Sequence, residues 1–122
     1  MLTVALSTLL PVISGCSGAG PSPPEGILSS VQAQRDGGEL FHVHCAICHG
    51  DLGDGHGRRQ EYIVPPPGDL TVPTWAQPAN AGRIFLAIRQ GVPGTTMAPW
   101  PTLSDQQIWQ LVAYIETLPE HH

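Results

Sequence analysis

The segment FHVHCAICHG, residues 41–50, holds the densest group of chemically reactive side chains in the sequence. Five side chains that commonly bind metals fall within eight positions: His42, His44, Cys45, Cys48 and His49. Three kinds of site use such residues: a metal clasp, a redox-active dithiol, and a covalent attachment point for a larger group. Spacing and surroundings discriminate between the three.

A structural zinc site and a redox dithiol both fit this segment poorly. Zinc takes four ligands, usually as two separated pairs, and the third cysteine of the chain, Cys16, lies far away near the N terminus. His42 and His44 are two positions apart and point to different sides of a helix. A thioredoxin-like dithiol requires a βαβ setting, and no strand is predicted before the motif. A plain disulfide within the motif stays open, but it gives His49 no role.

The pentapeptide Cys45-Ala-Ile-Cys48-His49 matches the attachment signature of c-type haem. Residues i and i+3 of a helical turn lie about 5–6 Å apart on one face, with i+4 beside them. Two thiols so placed can add to the two neighbouring vinyl groups of one haem, with the histidine under the iron as a ligand. The motif therefore predicts haem c, one per chain, although a pentapeptide is short and its context must support it.

Three helical segments separated by turn-rich loops are predicted. The second, NAGRIFLAIRQG, begins after Asn80 and stops at Gly91. The third, LSDQQIWQLVAYIETLP, starts with a capping box of Ser104 and Gln107 and ends at Pro119. Between the first and second helices lies a long irregular segment, and a loop of that length in a small domain usually wraps something.

The first helix ends in the motif and has two predicted starting points, Ser29 and Asp36, each with capping-box spacing. Gly37 and Gly38 fall inside it. Each glycine costs a helix roughly 1 kcal/mol, so the pair requires a structural reason.

Together these features resemble the class I cytochromes c over roughly residues 29–118. The family pattern Gly-x-x-x-Phe-x-x-x-Cys-x-x-Cys-His is matched at Gly37, Phe41, Cys45, Cys48 and His49. The resemblance implies an all-α fold in which three main helices wrap around one haem with long irregular loops. It also implies that Gly37 lets the first helix cross the last one closely, on the face that carries Trp109 and Tyr114.

The resemblance implies the remaining haem contacts as well. GVPGTTMAPW looks like the distal loop, in which Met97 supplies its thioether to the iron opposite His49 and raises the reduction potential. VPPPGD looks like the loop whose backbone carbonyl accepts the proton on the far nitrogen of the proximal histidine. Pro65 is the first choice for this carbonyl and Pro66 the second. Trp100 is expected near the haem propionates, ahead of the two arginines of the second helix.

Other polar residues are expected to have ordinary roles. His42 and His44 occupy variable positions of the family pattern and are predicted to face solvent. His56 lies in a flexible GDGHG turn, and Asp51 and Asp54 fit turn chemistry better than a calcium loop.

The N terminus reads as an export signal. Residues 1–15, MLTVALSTLLPVISG, contain an apolar run too short to span a bilayer, although no positive charge precedes it. The run ends in VISGC, which resembles the lipobox of bacterial lipoproteins and predicts a lipid on Cys16. Residues 16–28 are rich in Gly, Ser and Pro and predict a flexible tether. A haem domain over 29–119 and a tail over 120–122 complete the predicted organisation.

Charge restricts the partners. The 122 residues include five Arg, no Lys and ten acidic residues, and the net charge is −5. This balance argues against nucleic acid and an anionic membrane surface as electrostatic partners. Docking cannot use a ring of lysines, so apolar contact or fixed assembly in a complex is expected.

These expectations define a one-electron carrier rather than an enzyme, with no small-molecule substrate. By resemblance to lipidated monohaem subunits of bacterial respiratory complexes, its partners would be redox proteins or complex subunits. It would lie on the periplasmic side, anchored through Cys16. The alternatives are a haem enzyme subunit or gas sensor with an open distal site and, less favoured, a membrane-tethered binding module without haem.

Overall fold

The computed structural model describes residues 20–74, residue 77 and residues 80–121. The predicted signal segment, Cys16 and the first part of the predicted tether lie outside these residues. Within them the chain is helical and contains no strand, which confirms the predicted all-α fold. In the same part of the chain, no helix has the length and apolar character needed to cross a membrane.

Four helices and two short 3₁₀ segments form the described part of the fold. The helices are α1 (Val31–His44), α2 (Ala46–His49), α3 (Ala81–Gln90) and α4 (Asp105–Ile115). The 3₁₀ segments are Gln60–Tyr62 and Leu118–His121. Thus α1, α3 and α4 are the three predicted main helices, and α2 is a single extra turn that carries most of the motif.

Helix α1 begins at neither of its two predicted starting points. Ser30 caps it, and its side chain accepts a hydrogen bond from the backbone N–H of Ala33 at 3.2 Å. Ser29 instead donates its hydroxyl to a carbonyl of the preceding turn. Asp36 lies inside the helix, where its carboxylate accepts a hydrogen bond from the Gln110 side chain of α4 at 3.1 Å.

The glycine pair marks the place where α1 crosses α4. A Cβ on Gly37 would lie 1.9 Å from the backbone oxygen of Gln110, and a Cβ on Gly38 would lie 3.2 Å from the ring of Tyr114. Close approach of two helices therefore accounts for two residues that disfavour a helix. The predicted crossing face is right for Tyr114. Trp109 packs against the ring of Phe85 in α3, with the two centroids 4.6 Å apart.

Helices α3 and α4 begin as the sequence predicts. Ser104 and Gln107 form both bonds of the capping box, at 2.9 and 3.1 Å. Gly91 ends α3 with a φ of 71°. Asn80 occupies the N-cap position of α3, but its side chain donates to a backbone carbonyl of the preceding loop rather than capping the helix.

One hydrophobic core lies between α1, α3 and α4. Its largest fully buried side chains are Phe41, Ile108, Leu111 and Val112. Cys45, Met97 and Trp100 are partly buried against the same core. The packing of the main helices therefore brings the motif and the distal loop to one region.

Residues 20–28, predicted as part of a flexible tether, pack against the domain. A Cβ on Gly20 would lie 2.1 Å from the carbonyl oxygen of Gly82 in α3, so the two backbones touch. Ile27 and Leu28 are half-buried against the core. The part of the predicted tether that the structure describes is therefore a packed segment.

Candidate functional site

The two cysteines of the motif lie on one helical turn at the end of α1. The Cys45 carbonyl accepts hydrogen bonds from the amides of Cys48 at 3.1 Å and His49 at 2.9 Å. These bonds place the three side chains at i, i+3 and i+4 of a helical turn, which share one face. Both thiols are free. The turn therefore presents two sulfur atoms and an imidazole together.

Burial favours the protonated form of the first thiol. Burial, together with the neighbouring Cys48, raises the pKa of Cys45 to about 12. A redox dithiol depends on a thiolate and needs the opposite shift. Moreover, no group of three or more His, Cys, Asp or Glu side chains among the described residues could hold a metal ion. The raised pKa argues against the redox dithiol.

The imidazole of His49 is suited to be a ligand. Burial lowers its pKa, which favours the neutral form that binds metals. Its Nδ1 is buried and has no hydrogen-bond partner within the described part of the chain. Buried polar atoms of folded proteins are almost always paired, whereas this nitrogen lacks, in the described part of the structure, the carbonyl acceptor that the family resemblance assigns to it.

The long loop that follows the motif folds back onto it. The Gly55 amide donates to the His49 carbonyl at 2.8 Å, and the Arg59 amide donates to the Ile47 carbonyl at 3.0 Å. The long loop that the sequence predicts to wrap around another group is therefore hydrogen-bonded to the backbone of the motif.

The three consecutive prolines of this loop differ in their contacts. Pro65 and Pro66 are exposed, and the Nδ1 of His49 does not bond to a carbonyl of either one in the described structure. Pro67 is half-buried, and its carbonyl oxygen would lie 2.8 Å from a Cβ on Gly55. Because Gly55 bonds to the His49 backbone, Pro67 packs against a residue that contacts the histidine.

Met97 lies on the loop between α3 and α4, half-buried against the same core as Cys45. Its carbonyl accepts from the Val92 amide at 3.1 Å, and its amide donates to the Thr95 hydroxyl at 3.2 Å. Gly91 permits the tight return, since a Cβ there would lie 2.6 Å from the Met97 carbonyl oxygen. Local hydrogen bonds thus fix the Met97 backbone.

Trp100 joins this loop to the motif. Its indole ring contacts the imidazole of His44, with centroids 5.2 Å apart. Its amide bonds to the Ile88 carbonyl of α3 at 3.1 Å. His44, predicted to face solvent, is half-buried. Because His44 immediately precedes Cys45, the Met97 loop and the motif are held side by side.

Arg89 holds the other end of the loop, a role the sequence did not reveal. Its guanidinium donates to the carbonyls of Trp100 at 3.1 Å and Leu103 at 2.7 Å, and to the Asp105 carboxylate at 2.6 Å. It therefore joins α3 to the start of α4 across the loop. A cation in the last turn of a helix, where it is favoured, is the only local signal for this role.

His42 of α1 and His56 of the loop after the motif keep their predicted roles. His42 is exposed, with its Nδ1 2.7 Å from the carbonyl of Gly38. His56 is exposed too, and its amide donates to the Asp54 carboxylate at 3.0 Å in a turn. Neither side chain joins the motif.

Comparison with known proteins identifies the family to which the chain belongs. A model of the family described as cytochrome c oxidase, cbb3-type, subunit III matches residues 32–115, well over half of the chain. The chain belongs to this family of c-type cytochromes. The monohaem class I cytochrome predicted from the sequence is thereby confirmed.

Two known proteins show what this cbb3-family cytochrome resembles. The cbb3-type cytochrome c oxidase subunit FixP of Azorhizobium caulinodans is 30% identical over 113 residues, which cover 93% of this chain and 34% of that protein. The chain thus spans about a third of that curated relative. A chain of the reducing HAO-like protein complex of Kuenenia stuttgartiensis shares the fold, with a TM-score of 0.63 and 23% identity, over 73% of this chain and 44% of that one.

As a member of the cbb3-type family, the protein carries covalently bound haem c with its iron. The described residues fit this group. Two free thiols share a helical turn with a buried imidazole whose Nδ1 has no partner. The thioether of Met97 lies on a loop packed against the same core. Haem-based electron transfer of a respiratory type is the activity that the family supports.

Proposed function

We propose that the protein is a one-electron carrier whose haem is attached through Cys45 and Cys48 and ligated by His49 and Met97. The observation that carries this proposal is the single helical turn on which the two thiols and the imidazole share a face. When bound, the haem iron supplies a reversible one-electron couple. The chain's own residues attach and ligate the haem and exclude water from it.

Attachment requires no oxidant or reductant. Each thiol adds across one vinyl group, so that sulfur bonds to one carbon and the thiol hydrogen ends on the other. Burial and the i, i+3 spacing hold the two sulfur atoms together on one side of the site. The family resemblance further proposes Trp100 near the propionates and a proline carbonyl, Pro65 by the sequence pattern, as acceptor for the Nδ1 proton of His49. We add Pro67 as a candidate for that role, because its carbonyl packs against Gly55.

Met97 makes the protein a carrier rather than a catalyst. A soft thioether opposite an imidazole favours the reduced ion and raises the reduction potential. The bonds of Thr95 and Arg89 hold its loop in place. If His49 and Met97 both hold the iron, they would leave no open position for a small molecule. The protein then transfers electrons without transforming a substrate of its own.

Carbon monoxide tests the sixth ligand. The reduced protein should resist carbon monoxide at neutral pH, whereas Met97→Ala should bind it readily and have a lower potential. Thr96→Ala, an exposed neighbour on the same loop, should do neither. Rapid binding to the unaltered protein would show an open distal site, and a haem enzyme subunit or gas sensor would replace the carrier.

Extraction tests the attachment. Haem should remain with the protein through acid–acetone treatment and denaturing electrophoresis. Cys45→Ala and Cys48→Ala should each leave one thioether and shift the pyridine haemochrome spectrum, and the double variant should release its haem. Free haem extracted from the unaltered protein would contradict covalent attachment by this motif.

We also propose that the protein works on the periplasmic side of a bacterial membrane, with redox proteins or respiratory complex subunits as partners. The description of the family and the name of FixP support this context. Residues 1–15 would be the signal, Cys16 the lipidated residue, 16–28 the connecting segment, 29–119 the haem domain and 120–122 a tail. Nucleic acid has no place in this proposal.

Mass spectrometry of protein from a bacterial envelope tests the anchor. The mature chain should begin at Cys16 with acyl groups attached, and Cys16→Ala should release a coloured protein from the membrane. A mature N terminus elsewhere, or a Cys16→Ala protein still bound to the membrane, would contradict lipidation.

A further inference from the structure

The basic residues of this acidic protein are unevenly placed. It has five arginines, no lysine and ten acidic residues. Arg58 and Arg59 are the only basic pair adjacent in the sequence, and both are exposed. Arg89 is engaged by carbonyls and a carboxylate, whereas Arg35 and Arg83 stand singly on helices. Residues 56–66 therefore form a short stretch with more positive than negative charge, which includes one exposed acid, Glu61.

This pair is fixed to the haem-binding motif by backbone contacts. The Arg59 amide donates to the Ile47 carbonyl at 3.0 Å. A Cβ on Gly57 would lie 2.5 Å from the backbone of Cys48, so the chain just before the pair also touches the motif. Ile47 lies between the two cysteines. The arginine pair thus lies beside the turn to which the haem is proposed to be attached.

Exposed apolar side chains follow the pair along the chain. The Tyr62 amide donates to the Arg59 carbonyl at 3.0 Å, which fixes a short 3₁₀ turn. Tyr62 is 78% exposed and Val64 is 84% exposed. Arginine and tyrosine are enriched where proteins bind one another, and an exposed tyrosine offers a large contact area.

A shallow cleft of about 180 Å³ borders Arg58. Its lining includes Val43, Ala46, Ile47, Asp51, His56 and Arg58. Asp51 is the one carboxylate in the lining. The nearby Asp54 is already bonded to the His56 amide. The cleft beside Arg58 is therefore mainly polar, with one carboxylate, and the apolar area of this surface comes from Tyr62 and Val64.

We infer that Arg58, Arg59, Tyr62 and Val64 form the docking surface for a redox protein that presents carboxylates around its own redox centre. This inference rests on the proposed electron-carrier function. Complementary charge at the edge of an interface accelerates encounter and fixes orientation, while apolar contact holds the complex. One electron passes between the two centres, and no bond or proton is exchanged. The arginine pair supplies the cationic contact that a lysine-free chain would otherwise lack.

Small inorganic probes test the charge at this surface. Reduced protein is mixed with hexacyanoferrate(III), an anion that accepts one electron, and with the cation hexaammineruthenium(III). The double variant Arg58→Gln/Arg59→Gln should react roughly tenfold more slowly with the anion at low ionic strength, and faster with the cation. Both differences should shrink in high salt. The matched control Arg35→Gln/Arg83→Gln removes the same charge from α1 and α3 and should change either rate less than about twofold.

Equal effects of the two double variants would overturn the proposal, because they would show a response to net charge alone. Failure of the proposed function looks different, since the unaltered reduced protein would then bind carbon monoxide readily, whatever the rates of the two double variants.

Binding of a hexaglutamate peptide gives a readout that does not depend on electron transfer. Titration of the haem-loaded protein, followed by nuclear magnetic resonance, should shift the amides of Ile47, Arg59 and Tyr62 and lose these shifts in Arg58→Gln/Arg59→Gln. Shifts confined to other surfaces would overturn the proposal. Sedimentation with phosphatidylglycerol vesicles provides a further test. Binding that is abolished in Arg58→Gln/Arg59→Gln would identify the partner as a membrane and overturn the protein-docking inference.

Discussion

Gly37 of α1 touches the backbone of Gln110 in α4, where a Cβ would lie 1.9 Å from the Gln110 carbonyl oxygen. The Gln110 side chain adds a hydrogen bond to Asp36 at 3.1 Å. Helix α1 runs directly into Cys45, and α4 lies near the end of the chain. One backbone contact between distant parts of the sequence therefore sets the position of the haem-binding turn.

Gly37→Ala should lower the free energy of unfolding by about 2 kcal/mol or more. The added methyl group meets backbone, which cannot move aside, and overpacking outweighs the roughly 1 kcal/mol that alanine gains in a helix. Gly38→Ala is the matched control, because its Cβ meets only the Tyr114 ring at 3.2 Å. Guanidinium unfolding of both variants measures the difference. Equal stability of the two would mean that the helices separate easily at this point.

Arg89→Ala should destabilise the protein by about 1–3 kcal/mol, because two carbonyls lose a charged donor. Asp105→Asn should cost less than about 1 kcal/mol, since that side chain is 77% exposed. Arg89→Lys should not restore stability, because lysine lacks the planar fork of donors. Thermal unfolding and carbon monoxide binding together measure the effect, since a loosened Met97 loop should admit the gas. Arg83→Ala, exposed on the same helix, should behave as the unaltered protein.

Glu116 should make stability depend on pH. Burial raises the pKa of its carboxyl to about 7, and its Oε1 is buried without a partner among the described residues. The folded protein thus binds a proton on Glu116 more tightly than the unfolded chain does, because the pKa of this carboxyl is 4.5 when it is fully solvated. The contribution of this bound proton to the free energy of unfolding is fully present below pH 4.5 and is lost as the pH rises through about 7.

Glu116→Gln, which imitates the protonated form, should therefore raise the melting temperature at about pH 8 by roughly 1–4 °C, a range reduced for partial exposure. In acid, Glu116→Gln should have nearly the same melting temperature as the unaltered protein. Glu120→Gln, an exposed neighbour, should leave the pH profile unaltered. A parallel shift of Glu116→Gln at every pH would exclude this titration as the cause.

Gly20→Ala should release the N-terminal segment from α3. Gly20 and Gly26 both have positive φ, 73° and 74°, but only Gly20 meets another backbone, that of Gly82. Alanine at either position carries similar conformational strain, so the difference between the two variants reports the contact. Hydrogen exchange of residues 20–24 and 81–84 should be faster in Gly20→Ala than in Gly26→Ala. Identical exchange would mean that the contact is dispensable.

Local signals predicted most of the fold. The capping box of Ser104 and Gln107 lies within four consecutive residues, and Gly91 stops α3 through its own φ. The start of α1 was missed by one residue, because adjacent serines offer the same chemistry and only packing selects Ser30. The predicted crossing was right for Tyr114. The contact of Trp109 with Phe85 of α3 was not predicted, since a pattern of buried positions does not say which neighbour each side chain meets.

The haem-binding motif could be predicted from the sequence, because the spacing of Cys45, Cys48 and His49 places their side chains on one face of a helical turn. The role of Arg89 was not, since its partners lie 11 to 16 residues away and belong to another loop and helix. Likewise, three consecutive prolines look alike in sequence. Only the contact of the Pro67 carbonyl with Gly55 distinguishes Pro67 from Pro65.

The contact between Gly20 and Gly82 has a consequence for any membrane-bound form of the protein. If Cys16 carries a lipid, only three residues separate the acylated position from a point fixed on α3. Four residue steps span at most about 14 Å when fully extended. The haem domain would then stand at a nearly constant height above the bilayer with its α3 side downward. Exchange of electrons would be restricted to partners whose redox centres lie in that same thin layer, and lateral diffusion would become a search in two dimensions.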